Sequence, residues 1–145
     1  MNSSAEYRII DIGISQFATF ESGFDPKNID FRLDTNFSYG VDPDKNILIC
    51  LMAATFFQEG NSIIKIESQV TFEFNKSFFY NFIDKNIFFM PESHVKTLTN
   101  ILYNSTRGML AAKLEKSPMQ GVILPIADMD EIVVSPLKIL LSSDS

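Results

Sequence analysis

Apolar and polar positions alternate with a period of two through the first half of the chain and change to a helical period in the second. Ile10, Ile12 and Ile14 alternate with Asp11, Gly13 and Ser15; the pattern slips at Gln16 and Phe17 and resumes toward Phe20. That predicts a strand carrying a β-bulge near Gln16. Glu21 to Lys27 has turn chemistry, after which Ile29, Phe31 and Leu33 alternate with Asp30, Arg32 and Asp34 in a second strand reaching about Tyr39. Gly40 to Asn46 forms a turn around Pro43, and Ile47 to Phe57 is apolar enough for a central strand. Gln58-Glu59-Gly60-Asn61 closes a second hairpin. Beyond it Ile64, Ile66, Val70, Phe72 and Phe74 face one way while Lys65, Glu67, Gln69, Thr71 and Glu73 face the other. Four consecutive strands with hairpin-length links predict an antiparallel meander with one buried face.

The second half supplies the cover for that face. Lys76 to Ile83 suits a short helix within an aromatic-dense connection that runs to Met90. From Pro91, the residues Val95, Leu98, Leu102, Ser105, Met109 and Ala112 repeat at three and four positions, predicting one long amphipathic helix to about Lys116, where Ser117-Pro118 stops it. Gly108 is its internal flaw, worth roughly 1 kcal/mol against Ala; a close approach to the sheet or to a neighbouring chain would account for it. Asp128 with Glu131 resembles a capping box for a short helix reaching Val134, and Ser142 to Ser145 reads as a frayed tail. The fold class is therefore α+β, a four-stranded antiparallel meander packed by one long and one short C-terminal helix. Residues 1–145 read as a single domain, without repeats or linkers.

Composition narrows the function classes. With 145 residues and 46% of them hydrophobic, the chain can bury a core without metal or disulfide support. A net charge of −6 with no run of Lys or Arg argues against nucleic-acid binding. The N-terminus lacks the basic and apolar regions of a signal peptide, and no apolar stretch approaches the roughly 18 residues of a membrane span, so a cytoplasmic protein without membrane insertion is expected. Catalysis has no foothold: His94 stands alone, Cys50 lies in an apolar run as a buried thiol, and the dispersed glycines form no phosphate cradle. Asp42-Pro43-Asp44 has the residues of a plain turn rather than a cation loop. No catalytic residue, metal ligand or cofactor is expected.

What remains is an apolar surplus, including 14 Phe and no Trp. Phe88-Phe89-Met90 precedes the long helix and Met119 to Ile126 follows it, more apolar residues than short connections need. Either these segments lie over the sheet as core, or part of them lines an exposed groove or a subunit interface. A groove of this kind suits extended polypeptide, since main-chain hydrogen bonds at a strand edge give sequence-tolerant affinity. The candidate contacts are Phe78, Phe82, Phe88, Phe89, Met119, Val122 and Leu124.

The order of these features resembles the SecB export-chaperone family across roughly Tyr7 to Val134. Phe31-Arg32-Leu33-Asp34-Thr35, Asn86-Ile87-Phe88-Phe89-Met90-Pro91 and Ser105-Thr106-Arg107-Gly108 carry the likeness, together with Gly121 to Met129, which is similar to the family's apolar, proline-bearing loop before its last helix. The resemblance implies an ATP-independent chaperone holding unfolded or partly folded polypeptide, assembled as a homotetramer by joining sheets into dimers and sandwiching the long helices between them. Arg107 and Gly108 would then be structural, Gly108 allowing close helix packing and Arg107 pairing with a carboxylate or helix-end carbonyls. Met109 to Met119 looks like an insertion extending the long helix. The family's cysteine-bearing, zinc-binding tail, which contacts the SecA translocase motor, has no counterpart here, so any contact with that motor would lack it. A dedicated module of the same fold, serving one antitoxin or one secreted protein, is the rival reading; a small-ligand pocket between sheet and helices is a third.

Overall fold

The computed structural model describes residues 6–28 and 30–141; the expectations for Ile29 and for the tail from Ser142 lie outside them. Four long strands, β1 (Tyr7–Thr19), β2 (Arg32–Asp42), β3 (Ile47–Gln58) and β4 (Asn61–Phe74), form one antiparallel sheet in the order β1-β4-β3-β2. This corrects the meander. β2, β3 and β4 are joined by tight turns, but β1 lies beside β4, in a Greek-key arrangement. The turns have the expected chemistry: Asn46 sits at φ 57°, and Glu59 and Gly60, both at positive φ, suit the primed two-residue turn of a twisted hairpin.

The connection from β1 to β2 reads locally as a hairpin link, yet residues 20–31 cross the end of the sheet to its far edge. Three strand spacings amount to about 14 Å, well within the reach of that length of chain. Gln58, buried at the end of β3, clamps the crossing: its amide oxygen accepts from Asp25 N–H at 2.6 Å, and its NH₂ donates to the carbonyls of Asp25 and Asn28, each at 2.9 Å.

Bulges break the β1–β4 ladder at Ser15, beside the expected Gln16, and at Ile10, which the alternation did not signal. The inner face of the sheet carries Leu48, Cys50, Met52, Ala54 and Phe56 from β3 and Ile64, Ile66, Val70, Phe72 and Phe74 from β4, all buried. Over it lies the long helix α2 (Glu92–Leu114), presenting Val95, Leu98, Leu102, Leu110 and Leu114. Two polar contacts fix its register on the sheet: Ser68 and Thr106 share a hydrogen bond of 2.7 Å, and Tyr39 and Thr99 share one of 2.6 Å. Thr106 also donates to Leu102 O in the turn before it, so the buried hydroxyls are satisfied.

The aromatic-dense connection resolves into α1 (Lys76–Tyr80), capped by the Asn75 side chain, and a short hairpin, β5 (Ile83–Asp84) and β6 (Ile87–Met90), turning at Lys85 and Asn86. After α3 (Met129–Ile132), β7 (Leu137–Leu140) pairs with β6, completing a second, three-stranded sheet that the sequence pattern did not reveal. Asp128 does cap α3, but its carboxylate accepts from Asp130 N–H and the helix stops at Ile132, short of Val134. Among the described residues no helix is long and apolar enough to cross a membrane.

Candidate functional site

After α2 ends, residues 117–137 run back along its flank. Met119, Val122 and Leu124 point into the core, and two side chains of α2 hold the backbone between them: Tyr103 Oη donates to Pro125 O at 2.6 Å, and Arg107 Nε to Leu124 O at 2.9 Å. Burial raises the Tyr103 hydroxyl above its ordinary pKa, against the lowering effect of the Arg107 charge, so it stays a donor at neutral pH. Farther along, Lys96 Nζ lies 2.8 Å from Asp130 Oδ1 and 2.9 Å from Glu92 Oε2. Hydrogen bonding to Asp130 and then to Glu92 holds the Lys96 ammonium well above the usual lysine range.

This return segment forms one wall of a groove whose other wall is β2. The groove is about 320 Å³ and is lined by Thr35, Asn36, Phe37 and Tyr39 from β2, Val95 from α2, and residues 132–137. β2 is a sheet edge. Its outer side pairs with no other strand among the described residues, so backbone N–H and C=O groups along it stay open beside a trough of mixed apolar and polar lining. Val134, 72% exposed, stands in the far wall. Burial also raises the Tyr39 pKa, partly offset by its bond to Thr99, keeping the trough uncharged at that point. A broader depression of about 600 Å³ lies by Phe31, Arg32 and Phe57, where Arg32 stacks 4.1 Å above the Phe57 ring, but it is a shallow surface at the end of the sheet.

The residues singled out from sequence are placed differently. Phe82, Phe88, Met119, Val122 and Leu124 are buried, which corrects the expectation that they are open to a client. The cause is local in each case. Phe88 is the inward position of β6, and Phe82 packs against Phe78, Phe88 and the His94 ring. The other three seat the return segment on α2. Phe78 is half-buried in the same aromatic cluster, and Phe89, 46% exposed, projects from the opposite side of β6; neither lines the groove. Gly108 is exposed, and a Cβ built on it meets nothing within 4 Å, so close packing within the chain does not explain it. Arg107 donates to a carbonyl of the return segment rather than to a carboxylate or a helix end.

Sequence reasoning missed the groove lining from β2 and residues 132–137. Thr35, Phe37 and Tyr39 stand at alternating positions, a usable signal, but only the strand order reveals that β2 is an edge. It also missed the apolar exposure of β1, where Ile9, Ile10 and Ile12 remain 45%, 43% and 46% exposed. Ile9 and Ile12 share the inner face with Phe72 and Val70, but β1 is the last strand of the sheet and nothing in the described chain pairs beyond it.

No family model matches the chain, and no curated protein matches it in sequence. Its fold is similar to that of the Mycobacterium tuberculosis Rv1957 SecB-like chaperone, solved in complex with a ChAD peptide from the Rv1956 HigA1 antitoxin. The TM-score is 0.56 at 13% sequence identity, over 85% of this chain and 91% of that one. The likeness is one of fold: an α+β chain built on an antiparallel four-stranded sheet, as in a SecB-like chaperone.

Proposed function

We propose that the protein is a polypeptide-binding chaperone working without ATP, which holds unfolded or partly folded clients in the groove beside β2. The observation that carries this reading is the open edge of β2 facing a trough in which Phe37, Val95, Val134 and Leu137 stand among polar Thr35, Asn36 and Ser135. A client strand added there gains main-chain hydrogen bonds worth about 1 kcal/mol each after desolvation, and its alternate side chains enter the trough. Several such bonds and a few buried apolar groups together offset an association cost of at least about 4 kcal/mol. Affinity then depends little on client sequence, as a holdase requires.

The opposite edge, β1, with its three exposed isoleucines, is assigned to a second copy of the chain, joining two sheets into one. With α2 faces sandwiched between such dimers, the assembly is a homotetramer. The cytosol is the proposed compartment; clients bound for export, delivered to a translocase motor, belong to the same reading. The Rv1957 complex with an antitoxin peptide favours a narrower alternative, a module of this fold serving one partner.

Light scattering during size-exclusion chromatography, with and without a slow-folding protein diluted from denaturant, tests the proposal. The expected result is a tetrameric mass that co-elutes with the client. Val134→Asp, at an exposed position, should leave folding intact and weaken client retention about tenfold by placing a charge where the client's apolar side chains would meet Phe37, Val95 and Leu137. A monomer that lets the client aggregate, or equal retention by the variant, overturns the reading. Retention of one partner but not of unrelated unfolded proteins selects the dedicated module.

A further inference from the structure

The wall of the groove opposite β2 is held unevenly. Upstream, Tyr103 and Arg107 tie down Pro125 and Leu124; downstream, β7 is paired into the second sheet. Between these anchors lies α3, four residues long and none of them fully buried, with Met129 and Ile132 packed partly buried against the core. Among the described residues, the ion pair that joins α3 to α2 is Lys96 with Asp130, at 2.8 Å. Glu92, one turn earlier on α2, holds the same ammonium at 2.9 Å and aims it, in the favourable order of acid before base at a four-residue spacing.

The position of this contact matters more than its strength. Val95, next to Lys96, lines the floor of the groove, and Ile132, the last residue of α3, with Val133 and Val134 directly after it, lines its wall. One turn of α2 therefore supplies both the floor and the tether of the opposing wall. Asp130 is 76% exposed in its side chain, so the pair is screened by salt and readily broken. Val133 is buried, and its N–H donates to Met129 O at 2.8 Å, so its backbone is tied to α3.

We propose that Lys96 is a positioning residue for the groove: by holding Asp130 it latches α3, sets the distance between residues 132–137 and the β2 edge, and on release lets that wall swing out to admit bulkier client side chains. This rests on the groove being the client site.

Amide hydrogen exchange on the free protein tests the latch without a client. Lys96→Met keeps the apolar stem and removes the charge. It should speed exchange at Val133 roughly two- to fivefold, the range of an exposed ion pair, while leaving Leu102 in the core of α2 unchanged; Lys96→Arg should restore the slow rate. Salt at about 1 M, where charges are screened within a few ångströms, should bring the wild type to the Lys96→Met rate and leave that variant unmoved. An unchanged Val133 rate, or a salt effect equal in both proteins, overturns the latch. In the second arm, reduced and carboxymethylated α-lactalbumin serves as a permanently unfolded client. Faster release from Lys96→Met than from Lys113→Met, a change on the same helix remote from the groove, supports the effect on groove width, and equal release refutes it. Failure of the wild type to bind this client refutes the client site, while the exchange result still decides whether Lys96 latches α3.

Discussion

Cys50 shows how a residue's surroundings define its chemistry. It lies on the inner face of β3 with no exposed surface, and burial pushes its thiol from 9.0 up to about 12. Because the folded pKa is raised, the associated stability is fully present below about pH 9 and is lost as pH rises toward 12, by up to about 1.4 kcal/mol per pH unit. The buried Tyr39 and Tyr103 hydroxyls shift in the same direction. The urea midpoint should therefore fall steadily above pH 9, less steeply in Cys50→Ala, and a thiol reagent should label Cys50 only as the protein unfolds. Rapid stoichiometric labelling at neutral pH, or a flat profile through pH 11, contradicts this. The inert thiol was legible from its apolar run. Gln58 was not, because a polar residue beside Glu59-Gly60 reads as part of the turn; its role depends on a backbone crossing that approaches it only after folding.

At the scale of elements, strong periodicity carried through and weak or borrowed signals did not. The alternation of β4 predicts a burial face that the structure retains, whereas the helical spacing of α2 holds for Val95, Leu98 and Leu102 only: beyond them Thr106, Leu110 and Leu114 are buried in place of Ser105, Met109 and Ala112. β5, β6 and β7 were not legible, since strands of two to four residues leave too few positions to establish a period, and β7 pairs with a segment far away in sequence. The apolar surplus was correctly noticed but misassigned: Val122 and Leu124 alternate with Ile123, and it is Ile123 that is exposed. Gly108 keeps its puzzle in a sharper form. With open space around it, Gly108→Ala should stabilise the isolated chain by roughly 1 kcal/mol, measured by urea unfolding at dilute concentration. If the same substitution lowers the mass or stability of the concentrated protein, the glycine's backbone lies against another copy's helix.

For the molecule as a whole, the sheet has two open edges of different character. β1 offers isoleucines with no trough beside them, and β2 offers a trough with exposed backbone, so one edge suits a flat, self-complementary partner and the other a single extended strand. That division was out of reach of the sequence, because a linear pattern of four strands does not say which two are outermost. The α+β class could be read; the strand order could not.

The same strand order has a consequence in time. Arg8 pairs with Glu73, sixty-five residues away, so β1 cannot complete its pairing until just over half the polypeptide has been made. The β2–β3–β4 hairpins close over short loops and should form first, whereas docking β1 closes a long loop at a greater entropic cost. Until then β4 is itself an uncovered edge, and a chain stalled on the ribosome at that stage would present the kind of surface that chaperones bind. Refolding kinetics can check this order: Ile14→Val in β1 should mainly speed unfolding, and Ile66→Val in β4 should slow folding, whereas the reverse assignment would place β1 in the nucleus.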